Sequence, residues 1–378
     1  MRDLIVLSLE PWDAIWRRNQ HLIAGLLRRH DDLRVLFVEP STDPLHTTLH
    51  GGVPKAGKGL RAAPADPRIP GGRLALWQGT KVLPRRLDGR VDHRWAAGVM
   101  RAARRADMTD PLLWVNDPTG AAVLSVTGWR GLYDITDDWL EADRTPAEHD
   151  RLVRDEEYLM THCAEVVVCS TGLVTTKSPI RPVTLIQNAV DTAAYARRQA
   201  RPVDLPAGRV ALYAGTVHTD RMDLDLLADT ARRTGPDVTV TIIGPVPLPD
   251  SAVATLRTAG VVLLGAKPAE QVPAYLQHAD VLLVPHLTNA FTDSLDPIKL
   301  YEYQAADRNV VSTPVAGFRD VDDPRVTVVP AAEFAAEVSA AATRPVPTAP
   351  GIVAPSWESR VEQYSAALDR VSAAARAG

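Results

Sequence analysis

Short, almost wholly apolar runs alternate along the chain with segments whose apolar positions recur every three or four residues. LIVLSL (4–9) has the unbroken apolar character of a strand buried on both faces. DAIWRRNQHLIAGLLRRH (13–30) follows, with Ile15, Trp16, Leu22, Ile23, Leu26 and Leu27 at helical spacing, and LRVLFVEP (33–40) reads as the next strand. Strand, helix, strand in such quick succession is a βαβ unit, the building block of doubly wound sheets. Residues 41–90 are rich in Gly, Pro and Arg, contain KAGKGLRAA and read as a mobile loop. Strands are expected again at LLWVN (112–116), GLYDIT (131–136) and EVVVCS (165–170). Between the last two, a helix over 145–163 is capped by Thr145 and opened by Pro146. PVTLIQNAVD (182–191) closes this half, and 192–208 has the composition of an interdomain linker.

The pattern then restarts. RVALYAG (209–215), VTVTIIGP (238–245), VVLLG (261–265), DVLLVPH (280–286) and NVVSTP (309–314) read as strands. Helices are expected over 223–233, 268–279 and 296–307, and an amphipathic C-terminal helix over 357–376. The pattern predicts an α/β protein of two doubly wound, Rossmann-like domains, 1–191 and 209–350, joined by 192–208 and followed by 351–378. Ligands of such sheets bind at the carboxyl ends of the strands, here toward a cleft between the domains.

Composition narrows the class. The chain has 378 residues, 46% hydrophobic and 23% charged, as in soluble globular proteins. Two domains suit that length better than one core. No apolar run approaches the roughly 20 residues of a bilayer span, and the N-terminus runs into a strand rather than a secretory signal. Cys163 and Cys169, the two cysteines of the sequence, read as buried thiols in a reducing compartment, which points to the cytoplasm. Net charge is −4, which argues against a general nucleic-acid binder. Residues 1–105 nevertheless carry 19 Lys+Arg against 10 Asp+Glu. That excess is either a solvated surface or a patch for an anionic acceptor or the inner membrane face.

The second half holds the chemistry. Three loops leave carboxyl ends of predicted strands: GTVHTDR (215–221), GPVP (244–247) and HLTNAFTDSLDP (286–297). Gly215 and Gly244 let a ligand approach the backbone closely. Arg221 and Lys299 bring positive charge to the same edge, and a helix opening at Pro297 aims free N–H groups at a phosphate. Glu302 lies about one turn further in, some 5–7 Å along the axis. A carboxylate there can accept both hydroxyls of a ribose whose diphosphate sits on the helix end. The bland alternative is a surface ion pair of Lys299 and Glu302 at i,i+3, worth about 0.2–0.5 kcal/mol, with Asp296-Pro297 as a plain helix start.

These stretches, with VTIIGP, LLGAKPAEQVPAYLQHADVLLVPH and SLDPIKLYEYQAADRNVVSTPVAG, resemble the donor domain of family 4 glycosyltransferases of the GT-B fold. LIQNAVD (185–191) resembles the signature that precedes that domain. EPWDAIWRRNQHLIAGLLRRH, VLFVEP and YDITDDW resemble the branch that includes the teichuronic acid biosynthesis glycosyltransferases. The resemblance implies that Glu302 binds the ribose and that Lys299 and Arg221 neutralise the diphosphate and act as the catalytic cations. It implies that Gly215 opens the loop over the phosphates, that the backbone at Ala266 and Lys267 holds the base edge, and that the last helix returns to the first domain. Two positions depart from the family pattern. Ser294 stands where a first glutamate is usual, and Thr216 where an arginine follows the loop glycine. Asp296 is then a candidate either for sugar recognition or for helix capping.

Other motifs carry less. Asp223-Leu-Asp225 and Asp320-Val-Asp322 imitate a metal-binding pair, but acidic residues are simply favoured at helix starts. No P-loop or Gly-x-Gly-x-x-Gly is present. On the first domain, His21, Asn116, Asp117, Asp134, Asp137 and Asp138 are candidates to face an acceptor, and equally to be core-edge, turn or cap residues. The expectation is a retaining, metal-independent transferase that takes a nucleoside-diphosphate sugar as co-substrate, needs no cofactor and glycosylates a hydroxyl-bearing acceptor. The Arg-, Ala- and Pro-rich composition suggests a bacterial glycan or small natural product as that acceptor. A nucleotide-sugar 2-epimerase of the same fold, and a catalytically weak donor-binding scaffold, are the alternatives.

Overall fold

A computed structural model of the protein describes residues 3–49, 51–81, 83, 85, 88–142, 144–348 and 352–374. The chain divides into two compact units, 1–187 with 358–378, and 188–357.

The first unit is built on eight strands: β1 Asp3–Leu7, β2 Arg34–Thr42, β3 Gly59–Ala62, β4 Leu74–Thr80, β5 Leu112–Val115, β6 Gly131–Ile135, β7 Glu165–Val168 and β8 Thr184–Leu185. Their order is β3-β4-β2-β1-β5-β6-β7-β8. All neighbours pair in parallel except β3, which runs antiparallel to β4. The centre is dry: Leu4, Ile5 and Val6 are fully buried, with Ile5 opposite Leu36 on one side and Leu113 on the other.

The loop expected over 41–90 is instead folded. It contributes the helix Pro44–Leu49, the edge strand β3 and its neighbour β4, and Leu76 is fully buried against the sheet. The strand expected over 182–191 shrinks to the two residues of β8. The helix Val91–Arg105, which the sequence reading passes over, buries Ala96, Val99, Ala102 and Ala103. The C-terminal helix Trp357–Ala373 falls almost wholly in the first unit. Residues 375–376 of its expected span lie outside the described residues, as does the expected boundary at 350/351.

The second unit carries β9 Arg209–Ala214, β10 Val238–Ile243, β11 Val262–Leu263, β12 Val281–Val284, β13 Asn309–Ser312 and β14 Val326–Val328. They form one parallel sheet in the order β11-β10-β9-β12-β13-β14. Side chains of β9 alternate between two cores, as the two-residue period of a strand requires. Ala211 and Tyr213 pack with Leu227 and Phe334, while Val210, Leu212 and Ala214 pack with Leu276 and Tyr303. Residues 192–208, expected as a linker, belong to this unit, as do 188–191, expected in the first domain. Leu205 is buried, and the backbone N–H of Gln199 donates to Gln277 Oε1 at 2.9 Å.

From β9 the order runs to β10 on one side and to β12 on the other, which makes β9/β12 the switch point of this sheet. The two strands pair only at Ala211–Val281 and Leu212–Leu282 and then part. Tyr303, buried on the helix Ile298–Ala306, fills the gap. Its hydroxyl accepts from Ala214 N–H at 3.2 Å and donates to the Leu283 carbonyl at 3.3 Å. The backbone groups freed by the divergence are thereby satisfied.

Candidate functional site

The switch point supplies a site from within the second unit. Gly215 follows β9 with φ +140° and Gly244 follows β10 with φ +131°, a region that disfavours any side chain. Space excludes one as well. A Cβ on Gly244 would stand 2.2 Å from the Gly215 carbonyl oxygen, and a Cβ on Gly215 would stand 2.5 Å from Lys299 Nζ. The missing side chain at Gly215 is therefore the space that Lys299 occupies.

Lys299 lies in the first turn of the helix Ile298–Ala306, with its ammonium 4.8 Å from the centre of the Tyr213 ring. An aromatic face attracts a cation but, unlike a carboxylate, leaves its N–H donors free. No carboxylate lies within ion-pair distance of Lys299 among the described residues. Tyr213 is itself held. Its single hydroxyl hydrogen goes to the Thr216 carbonyl at 3.3 Å, so His286 Nε2, also at 3.3 Å, is assigned as the N–H that donates to the Tyr213 oxygen. Burial, then Lys299 and Arg221, push the His286 pKa well down, so the ring is neutral.

Arg221 shares this neighbourhood, since it and Lys299 both depress His286 and His218. The loops after β9 and β12 are zipped together: Leu287 N–H donates to the Arg221 carbonyl at 2.8 Å, and Asp223 N–H to the Pro285 carbonyl at 3.0 Å. The Arg221 guanidinium lies 5.5 Å from the centre of the Phe291 ring and 3.3 Å from the exposed Asp220 carboxylate.

Glu302, one turn beyond Lys299, is half-buried and has no hydrogen bond or ion pair among the described residues. Burial pushes its carboxyl up to about 7, and the Lys299 ammonium opposes that rise. A poorly solvated carboxylate without a partner, beside a cation without a partner, forms an acceptor and donor pair open to a ligand.

Three other predicted donor-side residues have structural partners. The Asp296 carboxylate accepts from the Asn188 backbone N–H and from the Tyr301 hydroxyl at 2.6 Å, while Asn188 Nδ2 donates to the Asp296 carbonyl at 2.6 Å. It thus ties the segment after β8 to the helix start rather than pointing a free carboxylate at a sugar. Ser294 Oγ donates to the Phe291 carbonyl at 2.7 Å, inside a turn that follows the short helix Ala290–Asp293. Lys267 pairs with Asp204 at 2.6 Å, and the backbone at Ala266 lies in the loop after β11. Pro297 is the N-cap of the helix, which begins at Ile298.

The first-unit candidates are largely internal. Asp134 is fully buried, accepting from Trp114 Nε1 at 3.1 Å and Asn116 Nδ2 at 2.9 Å, with Arg18 at 3.5 Å. Asn116 Oδ1 accepts from Asn19 at 3.0 Å. Asp138 is buried against Lys177 at 3.0 Å, and Asp117 caps the turn Pro118–Gly120 by accepting from Thr119 N–H. Asp137 is half-buried and accepts from Thr136 Oγ1 at 3.1 Å. His21 packs edge-on to Trp16, and burial with Arg68 and Arg28 brings its pKa down to about 3, too weak a base to take a proton near neutrality.

Residues 208–344 match the family model described as Glycosyl transferases group 1. That match lies within the second unit and takes in β9 to β14. Over 231 residues the chain is 22% identical to a protein of Bacillus subtilis that carries the name teichuronic acid biosynthesis glycosyltransferase TuaH. That match covers 57% of this chain and 58% of the relative, so the likeness spans little more than half of either. Among solved structures, Anabaena HepE in complex with UDP and glucose superposes with a TM-score of 0.62 at 14% identity, over 98% of this chain and 100% of that one. An α,α-trehalose-phosphate synthase from Burkholderia xenovorans in complex with glucose-6-phosphate gives 0.61 at 10% identity, over 98% and 97%. The chain has the GT-B fold, which bears out the fold class read from the sequence.

Several residues that hold this candidate site together are not among those picked out from the sequence. Tyr213 is the platform under Lys299, Tyr303 is the wedge at the split strands, and Asn188 with Tyr301 clamps Asp296. Tyrosines on both sides of Glu302 were a visible signal: residues flanking a helical position point to either side of it, so Tyr301 and Tyr303 fix the rotation at which Glu302 is presented.

Proposed function

We propose that the protein transfers a sugar from a nucleoside-diphosphate sugar to a hydroxyl-bearing acceptor, with retention and without a metal. The carrying observation is Lys299: an ammonium seated on Tyr213 in the space left by Gly215, with no carboxylate partner among the described residues, one turn from an equally unpartnered Glu302. The diphosphate of a donor supplies the anion for Lys299 and Arg221, and its ribose diol supplies two O–H donors to Glu302. The UDP and glucose bound by HepE support this donor class.

In the reaction, the bond from the sugar's anomeric carbon to the diphosphate oxygen breaks and its electrons remain on the diphosphate. Lys299 and Arg221 stabilise that growing charge, which is electrostatic catalysis by preorganised cations. The acceptor oxygen bonds to the anomeric carbon from the face that the diphosphate leaves, and its proton passes to the departing phosphate. A neutral, weakly basic His286 fits a route that needs no protein base.

The test is nucleoside-diphosphate release from a panel of sugar nucleotides, with and without candidate hydroxyl acceptors, in chelator. Release that requires an acceptor, with the product's anomeric configuration preserved by NMR, supports the proposal. Turnover of the donor alone indicates an epimerase, and loss of activity in chelator restored by Mn²⁺ overturns the metal-free route.

A further inference from the structure

The amino edge of the second sheet, opposite the candidate site, holds a concavity of about 510 Å³. Arg209 opens β9, Asp280 precedes β12 and Arg308 precedes β13, while Arg198, Arg201 and Arg344 complete the basic wall. With six residues in β9 at roughly 3.3 Å each, this edge lies about 20 Å from Gly215. It is a separate place on the same unit.

Five arginines face one carboxylate here, and that carboxylate is engaged: Asp280 Oδ2 accepts the Val210 backbone N–H at 2.8 Å. Arg198, Arg201, Arg209 and Arg308 form no ion pair among the described residues, whereas Arg344 reaches Glu337 at 2.7 Å. Two guanidinium groups are oriented by backbone carbonyls. Arg308 Nε donates to Gln277 at 2.9 Å, and Arg201 donates to Pro206 at 2.6 Å and His278 at 3.2 Å. Such bonds fix the planar fork without neutralising its charge. The crowding is felt at Arg308: burial and the neighbouring Arg198 guanidinium lower its pKa, against the smaller opposing pull of Asp307 and Asp280. Guanidinium groups suit phosphate oxygens, which they bind in pairs of parallel hydrogen bonds.

We propose that this concavity is a second anion site, which takes a phosphate-bearing ligand: a free phosphorylated small molecule or the headgroup of an anionic lipid. It is independent of the donor site, and the test keeps the two apart. Inorganic pyrophosphate is titrated calorimetrically into the full chain as wild type, as Lys299→Ala and as Arg198→Ala/Arg209→Ala. Arg198 and Arg209 are exposed, so their removal leaves the core intact. The expected result is binding that persists in Lys299→Ala and weakens by about tenfold or more in Arg198→Ala/Arg209→Ala. Absence of binding in Lys299→Ala, or an affinity unchanged in the double-arginine variant, overturns the site. Cosedimentation with phosphatidylglycerol vesicles, against phosphatidylcholine alone, separates the sources. Capture that depends on Arg198 and Arg209 assigns a headgroup, and pyrophosphate binding without capture assigns a free ligand.

Discussion

Asp134 of the first unit and Glu302 of the second are both acidic side chains withdrawn from solvent, yet they are held in opposite ways. Asp134 accepts from an indole and an amide and faces Arg18. Glu302 has neither a hydrogen bond nor an ion pair among the described residues, and burial lifts its carboxyl to about 7. Two lysines repeat the contrast. Lys177 is buried between Asp138 at 3.0 Å and Glu156 at 2.7 Å, whereas Lys299 rests on the Tyr213 ring. Buried polar groups that satisfy one another specify a structure. Groups held in place by packing, with their bonding capacity unused, are available to a ligand.

The sharpest way to break that contrast is to exchange the consequences of losing each lysine. Lys177→Ala leaves Asp138 and Glu156 buried without their cation, so it should cost about 3–5 kcal/mol of stability. At about 2–4 °C per kcal/mol, calorimetry should show the first unit melting at least 6 °C lower. Lys299→Ala should do the reverse, lowering kcat by about 10²–10³ through lost stabilisation of the leaving diphosphate. Its stability should stay within about 0.5 kcal/mol of wild type in urea. If Lys299→Ala instead unfolds the domain, the lysine is structural and the contrast collapses.

Tyr303→Phe probes the intermediate case, a buried polar group that serves the site indirectly. Without its hydroxyl, Ala214 N–H and the Leu283 carbonyl lose their partner where β9 and β12 part. Equilibrium unfolding should register a loss of about 1–3 kcal/mol. Donor KM should rise as well, because Ala214 adjoins Gly215. An unchanged KM would show that the split strands tolerate the vacancy.

The smallest effect concerns pH. A carboxyl near 7 in the folded state, but in the ordinary range when unfolded, holds a proton on folding between those values. Stability therefore falls as pH rises through that window and levels off above about 7. Nucleotide affinity should move the other way, because only the ionised carboxylate accepts both ribose hydroxyls. Affinity should improve a few-fold from about pH 6 to 8, relative to a Glu302→Gln protein that controls for the diphosphate's own titration. Parallel profiles for the two proteins would remove Glu302 from ribose binding.

How much of this was legible in the sequence depends on the range of the interactions. Parallel central strands announce themselves as apolar runs, and Gly215, Gly244, Lys299 and Glu302 lie where strand ends and a helix start are locally readable. Strands β3 and β4 escape because their short runs are embedded in Gly, Pro and Arg, and only the pairing of β4 with β2, and of β3 with β4, makes them strands. Asp296 looks free along the chain because its partner Asn188 is 108 residues away. Likewise Asp138 takes its cation from Lys177, 39 residues on. Local signals reveal which residues carry chemistry, but whether each is already satisfied is decided by contacts across the sheet.

The central claim is that Lys299 and Glu302 form one grip for a nucleoside diphosphate. The most direct measurement is calorimetric titration with the uridine, guanosine, adenosine and thymidine diphosphates, in wild type, Lys299→Ala and Glu302→Ala. The account predicts that one nucleotide binds the wild-type protein and that each variant, melting as wild type does, binds it at least about tenfold more weakly. Wild-type affinity in both folded variants would contradict it.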